Sequence, residues 1–294
     1  MKAVTGIGLI LATLATFSCS SENPAPGGSG LIEATEILIS AEATGRLERL
    51  YVDEGSRVTA GDTLGLIDTT TIVLNLNRAR AINEAAEIHR EMARLGITEA
   101  KHNLDLAEKE FSRLGALIKT GSANQQQYDR AENAFNQAQL AKKQADAALQ
   151  AADAELAGVT AEIALLQDQL QKCYPIAPAS GIVVTTFIEA GELATAGKPL
   201  IKVAKLDTVW VKVYVPPSDL TAIKLGQTAR IDPEDGRQTP LRGTVTHIAD
   251  KAEFTPKNVQ TRQARANLVY AVKITIPNEN GELKIGMPVT VQIQ

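Results

Sequence analysis

From about Thr70 to Lys172 the apolar positions recur at steps of three and four, while on both sides they alternate in short runs. The outgoing half of the long stretch carries its stripe at Ile72, Leu76, Ala79, Ala86, Ala93, Ile97, Ala100, Leu104, Ala107, Phe111, Leu114 and Ile118. The returning half carries it from Tyr128 through Ala131, Phe135, Ala138 and Ala145 to Leu166, Leu170 and Cys173, with Lys142 the one charge on the seam. A sustained seven-residue repeat keeps one face of a slightly underwound helix against a partner, so the pattern predicts two long antiparallel helices packed as a coiled coil. The outgoing seam is less regular: Asn83 and Arg90 occupy seam positions while Ile82, Met92 and Leu95 fall off it. A register shift and looser pairing are expected there. Between the arms, Gly121 supplies a turn, and Asn124-Gln-Gln-Gln127 has the spacing of a capping box. About 48 residues per arm at about 1.5 Å each predict a rod on the order of 70 Å, longer than a domain core requires.

The flanking segments repeat one another. Gly45, Gly55, Gly61 and Leu64 recur at one offset of 136 residues as Gly181, Gly191, Gly197 and Leu200, and Tyr51, Val52 and Ile67 recur as Phe187, Ile188 and Val203. Glycines punctuating short alternating runs predict strands joined by turns that need positive φ. The helical stretch therefore interrupts two copies of one β-unit. Beyond them Val209–Val215 alternates as a strand and ends at Pro216-Pro217. A short helix capped by Ser218 or Asp219 is expected next, then strands at Gln227–Ile231, Gly243–Ile248, Leu268–Ile276 and Val289–Ile293, with a turn at Asn280-Gly281. Several short strands with such punctuation predict a small β-barrel.

Composition narrows the function. The chain has 294 residues, 44% hydrophobic, with a formal net charge of −4. Mild acidity and few aromatics give no basic stripe or stacking platform for nucleic acid. Lys2 followed by an apolar run from Ala3 to Phe17 reads as a secretory signal, too short for a comfortable membrane span. Small residues before Cys19 are similar to a lipoprotein signal in which that cysteine is lipidated; an ordinary cleaved signal or a weak anchor is the alternative. Residues 20–30, of Ser, Asn, Pro, Ala and Gly with the single charge Glu22 and no periodicity, read as a flexible tether. Cys173 is then unpaired, a buried structural thiol at the end of the seam. His89, His102 and His247 show no metal-ligand spacing, and no phosphate-cradling glycine loop is present. No catalytic residue, metal or cofactor is expected, and the chain reads as a non-enzyme.

The paired segments around Gly45 and Gly181 resemble the two halves of a biotinyl/lipoyl domain. Carrier members of that family hold their modified lysine on the hairpin between the halves. The corresponding run here is Ile67-Asp-Thr-Thr-Thr71, with no lysine to modify. A lipoyl-like sandwich split by a helical hairpin and followed by a β-domain resembles the HlyD-type periplasmic adaptors, or membrane fusion proteins. The resemblance implies an elongated α+β fold: a lipoyl-like β-sandwich split by a long antiparallel coiled-coil hairpin, then a small β-barrel. It sets the segments at 1–19 (signal), 20–30 (tether), 31–69 (first half with a preceding strand), 70–172 (hairpin), 173–205 (second half) and 206–294 (barrel). A full membrane-proximal domain is expected to be absent or reduced to strands near Leu31–Ile39.

The same resemblance implies a function: linking an inner-membrane transporter to a TolC-like outer-membrane channel for efflux or secretion. The family tip pattern, an Arg, a Leu four residues on and a Ser seven further, falls on Arg113, Leu117 and Asn124, with Asn standing in for Ser. These are the expected channel-docking residues; the plainer alternative makes Asn124 only a cap and Arg113 only a solvated charge. Lys251–Thr261 resembles a loop of adaptors paired with ABC transporters, with RND or MFS transporters as alternatives. A homo-oligomer, a hexamer by family resemblance, is implied, placed in the periplasm and anchored to the inner membrane through Cys19. The competing reading is a lipid-anchored coiled-coil structural or binding protein with no pump.

Overall fold

The structure is a computed structural model, and it describes residues 26–234, 240–254 and 268–294. Two compact units form, one from residues up to Thr35 together with Leu206–Gln294, the other from Glu36–Lys205. The first contains the barrel and the second contains the sandwich with its helices.

The sandwich displays the internal repeat as hydrogen bonds. Strands β2 (Gly45–Leu50), β3 (Arg57–Val58) and β4 (Gly65–Ile67) precede the helices; β5 (Gly181–Thr186), β6 (Leu193–Ala194) and the start of β7 (Pro199–Val215) follow them. The N–H of Gly55 donates to the Val183 carbonyl at 2.8 Å, and that of Gly191 donates to the Leu47 carbonyl at 2.7 Å. Gly61 and Gly197 donate in the same related way to Ala177 and Ala41, both at 2.8 Å. Each half thus completes the turns of the other. Both ladders carry a bulge at the equivalent place, between Leu47 and Arg49 and between Val183 and Thr185. Leu47, Val58, Leu64, Ile67, Val183 and Leu200 fill the core between them. Cys173 is buried there too, and burial pushes its thiol pKa up.

Helix α1 (Thr70–Lys119) leaves this core and α2 (Gln125–Lys172) returns to it. Leu76, Ala79, Ala86 and Ala100 are buried on α1, and Ala131, Ala152 and Leu166 on α2. All of them lie on the heptad seam, because that stripe alone faces the other arm. The polar seam positions are filled by contacts across or along the hairpin, with no sign of misfit. Thr160 Oγ1 donates to Asn83 Oδ1 at 3.4 Å, Arg90 pairs with Asp153 at 2.9 Å, and Lys142 pairs with Asp146 at 2.6 Å. Ile82, Met92 and Leu95 are exposed. At the base, Asp68 Oδ1 accepts from the Thr70 N–H at 2.8 Å, serving one of the orphan donors of the first turn.

In the barrel unit β7, β11 (Leu268–Pro277), β9 (Leu241–Ile248), β8 (Thr228–Pro233), β12 (Pro288–Ile293) and β1 (Gly27–Ser40) pair in a closed cycle; β10 (Glu253–Phe254) adds at β11. Inward residues such as Val211, Val213, Ile231, Ile274, Val289 and Val291 form its core. Asn278, the buried polar residue there, is satisfied: its amide donates to the carbonyls of Leu206 and Leu283 and its Oδ1 accepts from the Leu283 N–H.

Three expectations change. Residues 27–30, expected in the 20–30 tether, are strand: Gly27 through Leu31 register with Gln292 through Pro288. The glycines are there because the backbones come close. A Cβ on Gly27 would lie 2.0 Å from the Val291 carbonyl oxygen, and one on Gly30 would lie 2.6 Å from that of Lys212. β7 runs from Pro199 to Val215, across the boundary expected between residues 205 and 206. The short helix is α3 (Pro217–Leu220), capped by Pro216 with no side-chain bond, while the Ser218 hydroxyl donates to Asp219 Oδ1. Cys19 and residues 255–261 of the Lys251–Thr261 loop lie outside the described residues.

Candidate functional site

The turn between α1 and α2 is closed by two motifs in succession. Gly121 takes φ +76°, a backbone state that a Cβ disfavours. That conformation lets Ser122 N–H donate to the Leu117 carbonyl at 2.9 Å and Gly121 N–H donate to the Ile118 carbonyl at 3.1 Å. This is a Schellman closure, and it satisfies carbonyls that the helix end would otherwise leave unpaired. Thr120 Oγ1 adds a bond to Leu117 O at 2.9 Å. Three residues later the second motif begins: Asn124 Oδ1 accepts from Gln127 N–H at 2.9 Å, and Gln127 Oε1 accepts from Asn124 N–H at 3.0 Å. The expected capping box is formed in full.

Below the turn the arms are joined by three aromatic rings. Phe111 stacks on Phe135 with centroids 5.4 Å apart and 9° between planes, and it meets Tyr128 at 5.3 Å and 39°. These residues read as plain seam positions in the sequence; a Phe with two aromatics on the facing arm was the available signal. A Cβ on Gly115 would touch the Tyr128 ring at 3.6 Å, so the ring lies over that glycine. The stack and the two caps together hold a five-residue link, Thr120–Asn124, in one conformation.

On this support the expected docking residues take distinct places. Arg113 is exposed and pairs with Glu110, Nη2 lying 2.7 Å from the carboxylate. That hydrogen bond, and then the Glu110 charge, raise the guanidinium pKa further, so Arg113 is cationic throughout any ordinary pH. Leu117, one turn on, leaves 37% of its surface open, while its carbonyl accepts three bonds, from the Thr120 N–H and hydroxyl and the Ser122 N–H. The i, i+4 spacing puts Arg113 and Leu117 side by side on one face of α1. Asn124 stands across the turn as the first residue of the other arm. Its Oδ1 is committed to the cap, and its Nδ2 makes no hydrogen bond among the described residues. The tip therefore offers a cation, an exposed leucine and an amide donor, all on rigid backbone. Such a set suits contact with another protein surface.

No helix of the described residues is long and apolar enough to cross a membrane. His89 Nδ1 lies 3.1 Å from Glu155 Oε2 on the exposed side of the arms, and both groups remain in solvent.

Comparison with known proteins places the two units. Residues 36–205 match the family model described as the RND membrane fusion protein barrel-sandwich hybrid domain, and residues 208–294 match the CusB-like β-barrel domain. A UPF0194 membrane protein of Yersinia pseudotuberculosis is 29% identical over 287 residues, covering 90% of this chain and 88% of its own. One from Citrobacter koseri is 30% identical over 288 residues, covering 89% and 86%. Among solved structures, MacA from Actinobacillus actinomycetemcomitans superposes with TM-score 0.60 at 21% identity, covering 92% of this chain and 79% of that one.

Proposed function

The chain belongs to the membrane fusion proteins, the HlyD-type periplasmic adaptors, and from that premise we propose that it links an inner-membrane ABC transporter to a TolC-like outer-membrane channel. Adaptors of this family work between an inner-membrane transporter and an outer-membrane channel. The observation that carries the reading for this chain is the tip. Arg113 and Leu117 sit exposed, side by side, at the end of a 50-residue helix, which spans about 75 Å at about 1.5 Å per residue. A rigid, solvent-facing contact set at such a distance from the sandwich serves no folding purpose there. Asn124 supplies an amide where the family pattern has a hydroxyl, keeping a donor at the same place. In this reading several copies assemble in the periplasm, held to the inner membrane through lipidated Cys19.

Site-specific photo-crosslinking at residue 117 in cells, followed by identification of the attached protein, tests the docking role. An outer-membrane channel should be captured, and Leu117→Asp or Arg113→Glu should abolish channel co-purification and efflux without changing protein level or helix content. Wild-type efflux in both variants would sink the docking claim. The transporter class is read by co-purification at the other end. The ABC assignment leans on the Lys251–Thr261 loop, whereas both matched domain descriptions are of RND type; recovery of an RND pump would replace the ABC partner while leaving the adaptor role in place.

A further inference from the structure

The outer face of the barrel unit carries a cationic patch assembled from three strands. Val209, Val211, Val213 and Val215 are buried in the barrel core, so the alternation of β7 turns Trp210, Lys212 and Tyr214 outward. On β11, Val272, Ile274 and Ile276 fill the core, and Lys273 and Thr275 face out between them. The register sets Lys273 opposite Lys212 and Thr275 opposite Trp210. Lys273 Nζ lies 4.3 Å from the centre of the Trp210 ring and Lys212 Nζ lies 6.0 Å from it, so both ammonium groups rest against one indole. On β9 the exposed His247 stands opposite Lys273 and continues the row onto a third strand.

Like charges directly opposite one another destabilise a sheet. Neither Lys212 nor Lys273 makes an ion pair among the described residues, and Glu33 on neighbouring β1 pairs with neither. The adjacent strand stretches 209–215, 268–276 and 241–248 contain no Asp or Glu, although the chain as a whole has a formal net charge of −4. Composition hides this patch because its cations come from strands far apart in the chain. Trp210 gives both lysines the negative face of a ring in place of a carboxylate. A face built in this way favours an anion brought from outside.

The path of the chain into the barrel says what covers it. β1 lies beside β7. A Cβ on Gly28 would lie 3.6 Å from the Tyr214 carbonyl oxygen, as one on Gly30 would lie 2.6 Å from that of Lys212. The chain therefore enters the barrel one strand away from the patch. Eight Cα steps separate Cys19 from Gly27, a span of no more than about 30 Å at about 3.6 Å each. A lipid on Cys19 keeps this edge of the barrel close to a bilayer surface. Ile32 is buried in the core, and Leu31 before it is turned outward and 55% exposed. Indole and phenol rings suit the headgroup layer, where one end of a side chain is apolar and the other wet, and ammonium groups suit its phosphates. We propose that the outer face of β7 and β11 binds the anionic phospholipid headgroups of the membrane that carries the anchor. Lys212 and Lys273 pair with lipid phosphates, and Trp210 enters the headgroup layer between them. This inference rests on the reading that Cys19 is lipidated: the lipid sets how near the barrel unit stays, and the patch sets which face it turns to the bilayer.

Trp210 is the single tryptophan of the chain, so its fluorescence reads the contact directly. The full chain, purified from membranes, is reconstituted into vesicles of phosphatidylcholine alone and of phosphatidylcholine mixed with phosphatidylglycerol. In the mixed vesicles only, Trp210 emission should move to shorter wavelength and be quenched by brominated phosphatidylcholine, and high salt should reverse both. Lys212→Gln and Lys273→Gln should each weaken the lipid quenching equilibrium roughly fivefold, with the protein still floating with both kinds of vesicle. The same emission and quenching in both kinds would overturn the proposal. So would a Trp210 indifferent to lipid in a protein whose Lys212→Gln, Lys273→Gln double variant loses a co-purifying protein, because the face would then serve an acidic protein segment. Failure of the lipidation reading shows separately, as an intact mass without an acyl increment and no flotation with phosphatidylcholine alone. In that event, lysine-dependent flotation with the mixed vesicles supports headgroup binding, and flotation with neither overturns it.

Discussion

Asn124 and Gln127 exchange two hydrogen bonds, side chain to backbone in each direction, at 2.9 and 3.0 Å. The exchange fixes where α2 begins, and with it the position of the residue that stands where the family tip has serine. A cap of this kind is worth about 1 kcal/mol. Asn124→Ala should therefore speed amide exchange at residues 125–128 by roughly fivefold, while Asn124→Ser should leave it close to wild type, because a hydroxyl accepts the same bond. If the Ser variant also keeps full efflux and the Ala variant does not, the cap and the contact are one requirement.

The aromatic stack gives a second prediction. Phe111 meets both Tyr128 and Phe135, so Phe111→Ala should remove two ring contacts and leave a gap between the arms, costing about 2 kcal/mol. The loss should stay near the tip. Hydrogen exchange should rise from about residue 108 to residue 135 and remain unchanged near Leu76 and Leu166, which pack together at the base. Uniform loosening of the whole hairpin would show that the stack is no local clasp.

Two glycines should respond with opposite signs. A Cβ on Gly96, within α1, meets nothing within 4 Å, so Gly96→Ala should stabilise the helix by about 1 kcal/mol through propensity alone. A Cβ on Gly181 would lie 2.5 Å from the Ala204 carbonyl oxygen and 2.7 Å from a Val203 methyl. Backbone cannot yield as a flexible side chain does, and Gly181→Ala should destabilise the sandwich by about 2 kcal/mol or more. Denaturant midpoints at constant slope measure both.

The start of α1 carries a pH signature. Hydrogen bonds from Thr70 hold the Asp68 carboxyl below its ordinary value. A depressed carboxylate pKa contributes stability above the unfolded value, near 3.9, and that contribution disappears as pH falls through the folded value. The first turn of α1 should fray on acidification below about pH 4. Asp68→Asn, which can still accept from Thr70 but carries no charge, should remove that step. An unaltered acid transition in the variant, followed by NMR at Thr70 and Thr71, would count against the capping role.

What the sequence by itself determined is whatever is written as local period or local turn chemistry. The heptad seam predicted the helical hairpin because the step between apolar positions alone decides which face of a helix is buried. Asn124-x-x-Gln127 predicted the cap because its bonds close within one turn. The offset that relates Gly55 to Gly191 predicted two like β-halves, since both glycines need positive φ at equivalent turns. Family resemblance then singled out Arg113, Leu117 and Asn124, and their exposure on a rigid turn makes contact with a partner physically reasonable.

Tertiary structure decided what depends on a chain segment far away. Gly27 and Gly30 carry no alternating pattern, and they are strand because the segment pairs with β12; Val291 and Lys212 pass close enough there to exclude a Cβ. β7 changes its pairing partner along its length, from β5 to β11, which no pattern inside Pro199–Val215 reveals.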